Sequence, residues 1–117
     1  MRTYPDPPYY VVVFTSRRTP GDNGYSDAAA RLGDLAAEQP GYLGHDSARS
    51  SPELGITVSY WADEESIAAW RNQVEHAPIR DLGRAEWYET YECHVAKVER
   101  SYFFERGRSP ASARVGE

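Results

Sequence analysis

Trp70 and His76 are the residues whose types and spacing come nearest to chemistry. They stand six residues apart where Ile67, Trp70, Val74 and Ala77 recur at steps of three and four, the repeat of one helix face. An indole at the centre of such a stripe can pack helix on sheet. It can also wall a cavity, where the flat ring would stack on an apolar ligand and the N–H would donate a hydrogen bond to it. His76 is a candidate general base, because an imidazole titrates near neutrality and could accept a proton from a bound ligand. Its place in the last turn before Pro78 also suits a plain interaction with the helix C-terminus. Spacing alone leaves both roles open for each residue. His45 and His94 have no metal-ligand spacing between them and read as ordinary surface or barrel residues. The single cysteine, Cys93, reads as a small hydrophobe and excludes an internal disulfide or a cysteine-based zinc cluster.

The elements that must position Trp70 and His76 follow from periodicity. Tyr9 to Ser16 is β-branched or aromatic at nearly every position and apolar on both alternating sets, which predicts a strand covered on both faces. A helix begins near Asp22, with Tyr25, Ala28, Ala29, Leu32, Leu35 and Ala36 at helical spacing, and Pro40-Gly41 stops it. Tyr42 to Ser50 reads as a weaker strand. Gly55 to Trp61 alternates cleanly, with Ile56, Val58 and Tyr60 on one face and Thr57, Ser59 and Trp61 on the other. Asp63 is a good N-cap for the helix carrying Trp70, with Glu64 and Glu65 in its first turn. A short helical piece through Leu82 ends near Gly83. Trp87 to Phe104 is the last strand region. Its apolar phase moves from Tyr91, Cys93 and Val95 to Ala96 and Val98, which predicts a bulge near Ala96.

The order β-α-β-β-α-β is the split βαβ, ferredoxin-like α+β arrangement: an antiparallel four-stranded sheet with two helices on one face. The domain spans 9–104, with flexible termini at 1–8 and 105–117. Two helices cover one face only. The other would expose an apolar patch well beyond a few hundred Å², and a homodimer packed sheet on sheet would remove it. Tyr60, Tyr88 and Tyr91 could then reach a pocket or the dimer seam.

Composition narrows the partners. The chain holds nine Tyr and three Trp against three Phe in 117 residues, so most rings carry a polar handle suited to pocket walls and interfaces. Net charge is −5 and no basic stripe is present, which argues against nucleic acid. The longest apolar stretch, Tyr9 to Phe14, is far short of a membrane span and follows prolines rather than a basic segment. A soluble cytoplasmic protein is expected, with no membrane partner.

Specific runs carry a resemblance. Gln39-Pro40-Gly41-Tyr42-Leu43-Gly44, Ser47-Ala48-Arg49, Gly55 to Trp61, Glu65 to Trp70, Glu75-His76, Gly83-Arg84 and Trp87 to Tyr91 together resemble the antibiotic biosynthesis monooxygenase (ABM) domain family over roughly Tyr9 to Phe104. The resemblance implies a dimeric α+β barrel with a pocket between the helices and the sheet of each subunit. It also implies oxidation of a small hydrophobic aromatic ligand, phenol- or anthrone-like, without cofactor. The quinone-forming branch has Asn four residues before the pocket Trp and Tyr six after. Ser66 and His76 stand there in this chain, so the resemblance points to Trp70 and His76 as catalytic and to Trp70, Ser66, Tyr60 and Tyr91 as substrate-binding. The haem-degrading branch has an Asn in the first strand and an iron-ligating His about ten residues after the Trp. The first strand here has no Asn, and Arg80 occupies the second position, which leaves haem as the alternative cofactor. A non-catalytic small-molecule-binding dimer is the remaining alternative.

Overall fold

The computed structural model describes residues 6–74, 77–107 and 114–115. The elements run β1 (Tyr9–Arg18), α1 (Tyr25–Ala37), β2 (Tyr42–Arg49), β3 (Leu54–Trp61), α2 (Glu64–Val74), α3 (Ala77–Leu82) and β4 (Tyr88–Val98). A wide helical turn over Gly83–Trp87 links α3 to β4. Two short strands follow, β5 (Tyr102–Phe103) and β6 (Arg114–Val115), paired antiparallel with each other. The main sheet has the order β2-β3-β1-β4 with every neighbour antiparallel, the ferredoxin-like α+β fold.

Register sorts the side chains into two faces. Tyr10, Val12, Phe14, Ser16 and Arg18 of β1 share a face with Thr57, Ser59 and Trp61 of β3. That is the helix face, since Trp61 stacks on Trp70 of α2 and the Arg18 guanidinium lies over Tyr25 of α1. The open face carries Val11 and Val13 against Val58 and Tyr60, with Ile56 44% exposed beside them. The helices therefore cover the more polar set of β3, and the apolar set Ile56, Val58 and Tyr60 faces away from them.

The core is small and aromatic. Trp61 is fully buried, and Tyr9, Trp87 and Ile67 are nearly so. Trp61 donates its indole N–H to Ser59 Oγ at 2.9 Å, which satisfies the one polar atom that its burial takes out of water. Trp87 likewise donates to the Asn23 carbonyl at 2.9 Å, fixing the end of β4 to the turn that starts α1.

Two expectations about β4 are corrected. The register to β1 is continuous from Tyr9–Val98 to Arg17–Thr90, so Ala96 is not bulged. The shift of apolar phase there reflects a strand with apolar residues on both faces. The irregularity lies at Glu89, an extra residue between Thr90, opposite Arg17, and Tyr88, opposite Arg18. The strand also ends at Val98, and Tyr102–Phe103 belongs to the separate pair with Arg114–Val115.

Candidate functional site

The helix face is marked by aromatic groups at its two ends. At the first, Asp63 caps α2: its Oδ1 accepts from the Ser66 backbone N–H and from the Ser66 hydroxyl, both at 2.8 Å. Those two bonds hold the Asp63 carboxyl below its ordinary value. The cap fixes the rotation of α2, which turns Ile67 inward and brings Trp70 onto Trp61, ring centroids 6.3 Å apart and inclined by 27°. Tyr42 packs edge-on against Trp61 at 5.4 Å. Its hydroxyl is 2.6 Å from His45 Nδ1.

Tyr42 and His45 reach one face although three residues apart, because the β2–β3 register slips between Tyr42 and Gly44. At the other end of the face, the extra residue Glu89 does the same for Tyr88 and Tyr91. Their rings meet at 5.5 Å, and Phe14 packs on both. Tyr25 joins them edge-on at 6.0 Å from Tyr88. Burial and the Tyr25 hydroxyl push the Tyr88 phenol well above its ordinary value. Between the two ends, Val12 and Phe14 lie opposite Val95 and Cys93. Val95 is 52% exposed and Cys93 is exposed rather than packed away, so this side of the face is open.

The residues singled out in the sequence are not gathered in one place. Trp70 stands at the aromatic end beside Trp61, and no hydrogen-bond partner of its indole N–H is found among the described residues. Ser66 is one turn before it, but its hydroxyl is spent on Asp63. Tyr60 lies on the open face, where it donates to Asp46 Oδ2 at 3.0 Å. Tyr91 is on the helix face opposite Ser16, whereas Trp61 is opposite Tyr10. Six residues of strand separate those rows, roughly 20 Å at about 3.3 Å each. Tyr91 accepts a hydrogen bond from Arg84 Nε at 3.1 Å and lines a hollow of about 340 Å³ with Arg84, Tyr88, Glu89 and Thr90. His76 lies outside the described residues. Arg80, ten residues after Trp70, pairs with Asp81 at 3.3 Å.

The pairing of Tyr42 with His45 is not evident in the sequence, where His45 reads as an ordinary surface or barrel residue. Their spacing of three breaks strand alternation, and only the glycine at 44, a frequent companion of bulges, hints at the slip. Among the described residues no group of three or more His, Cys, Asp or Glu could hold a metal ion. No helix is long and apolar enough to cross a membrane.

An antiparallel β2-β3-β1-β4 sheet backed by helices, with a tryptophan of α2 turned onto it, defines a ferredoxin-like domain. A family model, antibiotic biosynthesis monooxygenase, matches residues 8–81, and the chain belongs to that family. It is 46% identical over 101 residues to the uncharacterised protein YqjZ of Bacillus subtilis, covering 86% of this chain and 89% of that one. It is 27% identical over 95 residues to the jasmonate monooxygenase ABM of Pyricularia oryzae, covering 79% of this chain but 44% of that protein. Among solved structures it is similar to SnoaB, a cofactor-independent oxygenase from Streptomyces nogalater. That match has a TM-score of 0.67 and 18% identity, over 81% of this chain and 97% of the other. PA3566 from Pseudomonas aeruginosa matches with a TM-score of 0.58 and 14% identity, over 84% and 99% of the two chains.

Proposed function

We propose that this chain is a monooxygenase that works without a cofactor, using O₂ to oxidise a small hydrophobic aromatic substrate of the phenol or anthrone kind, and that it acts as a homodimer. The observation that carries the reading is the Trp61–Trp70 stack with the Tyr42–His45 pair beside it. A flat ring lying against Trp70 would place its hydroxyl near an imidazole. The His45 imidazole, held by the Tyr42 hydroxyl at Nδ1, is the base that takes the phenolic proton. The resulting electron-rich anion passes one electron to O₂, and the radical pair joins as a peroxide. Loss of water then turns a CH₂ of the substrate into C=O, so one O₂ yields one carbonyl oxygen and one H₂O. Trp70 contributes the stacking wall and an indole N–H for the oxygen species.

Family membership and the likeness to SnoaB support this reading. The half-exposed apolar face of Ile56, Val58 and Val13 supports the dimer, and the single cysteine suits a reducing cytoplasm. The test is oxygen uptake over a panel of anthrones and naphthols. Turnover above the buffer rate, lost in Trp70→Ala and His45→Gln, is expected. A panel-wide rate equal to buffer overturns the reading. Light scattering on the eluted protein should give twice the chain mass.

A further inference from the structure

The far end of the helix face carries charge that the oxidation chemistry does not use. Arg18 is only 9% exposed. Its Nη2 donates to the carbonyls of Gly21 (3.2 Å) and Asp22 (3.3 Å), while its Nε is buried without a hydrogen-bond partner. Its Cζ lies 3.5 Å from the centre of the Tyr25 ring. Arg49 approaches the same ring from another side, Cζ at 5.9 Å, and donates through Nη2 to the Tyr25 hydroxyl at 3.3 Å and through Nη1 to the Pro52 carbonyl at 3.1 Å. Gly55 keeps Arg49 down on the sheet, since a Cβ there would stand 3.0 Å from the Arg49 Cζ.

Neither arginine is paired with a carboxylate within 4.0 Å among the described residues. Asp22, whose carboxyl does feel Arg18, is turned to the backbone N–H and hydroxyl of Ser26. A buried guanidinium N–H left without an acceptor is costly, and two like charges around one phenol ring repel each other. An anion bound between them answers both.

We infer that Arg18 and Arg49, set around Tyr25, form a carboxylate-binding site for a small organic acid. The unpartnered Arg18 Nε–H would donate to one carboxylate oxygen, and the Arg49 charge across the Tyr25 ring favours an anion there. The Tyr25 and Tyr88 rings provide walls for an apolar body. The site stands independently of the oxidation chemistry, and its occupant need not be the oxidised substrate.

The test follows arginine Nε–H resonances of the whole protein by NMR while phenylacetate is added. The Arg18 signal, assigned by its loss in Arg18→Lys, should move downfield and saturate. The neutral counterpart 2-phenylethanol should leave it in place. Arg49→Gln, at an exposed side chain, should weaken phenylacetate binding about tenfold or more, and it serves as the second variant should Arg18→Lys fail to fold. An unmoved Arg18 signal, an equal response to 2-phenylethanol or to inorganic phosphate, or an unchanged affinity in Arg49→Gln overturns the assignment.

Discussion

Trp70 rests on Trp61 with ring centroids 6.3 Å apart, so a half-buried indole of α2 is backed by a fully buried one of β3. Trp61 has its N–H satisfied by Ser59 and is braced edge-on by Tyr42. Only the outer ring has a face and an N–H to offer a ligand. The inner tryptophan therefore serves packing, and the outer one is the ring that the proposed oxidation would use.

Substitution should separate the two duties. Trp61→Ala is expected to cost about 3–5 kcal/mol of stability, the usual range for a buried large aromatic. Trp70→Ala should cost clearly less and abolish phenol oxidation, whereas Trp70→Phe keeps part of the rate. Urea unfolding and oxygen uptake on the same preparations check both.

The Tyr42–His45 pair predicts an ordered series. His45→Gln, which retains hydrogen bonding but cannot act as a base, should reduce turnover by about 10²–10⁴-fold with little change in substrate affinity. Tyr42→Phe keeps the edge contact with Trp61 and loses only the hydroxyl, so its effect should be smaller. Steady-state kinetics across the series reads the split between kcat and KM.

Gly41 sits at φ +82°, with Ser66 packed where a side chain would start. Gly41→Ala should therefore cost about 1–3 kcal/mol, from the left-handed backbone and from pushing α2 off its cap. It should also lower oxidation, because Trp70 rides on the same helix. Denaturant melts checked against circular dichroism of the folded state would reveal it.

Asp63 is more acidic in the folded chain than in the unfolded one, first because the Ser66 backbone N–H and then the Ser66 hydroxyl favour its charge. Its contribution to stability is thus present above the ordinary carboxylate range and is lost as pH falls through the lower folded value. Asp63→Asn should melt earlier than the native chain at neutral pH. The gap should close on acidification, read from melting temperatures over a pH series.

Tyr88 has the opposite sign. Burial favours its neutral form, and the Tyr25 hydroxyl adds to that. Its contribution is whole below the unfolded tyrosine value of about 10 and is lost at higher pH as the unfolded chain ionises. Tyr88→Phe should flatten the alkaline loss of stability, followed by melting between pH 8 and 11.

Much of this arrangement was legible in the sequence. The element order, the Asp63 cap and the inward stripe of Ile67 and Trp70 follow from period and capping chemistry alone. The alternation of β3 was equally plain, but not which half faces the helices. Thr57, Ser59 and Trp61 lie under the helices, and the apolar half, Ile56, Val58 and Tyr60, is the one left open. Tyr91 and Trp70 were both expected at one substrate pocket. Register alone shows that they stand six rows apart. The pairing of Tyr42 with His45 and of Tyr88 with Tyr91 was hidden by one cause, a period-two rule applied across strands that each contain one slip.

Those slips make the outer strands sensitive to length rather than to composition. Deleting Glu89 alone would alter no side chain at Arg18, Tyr25 or Tyr91, yet it would restore strict alternation and put Tyr88 and Tyr91 on opposite faces. The same holds for one residue removed between Tyr42 and His45. Each end of the helix face thus depends on a spacing of three in a strand that otherwise counts by twos. Related chains that keep every one of these residues but differ there by a single insertion or deletion would carry the parts of the site without the site.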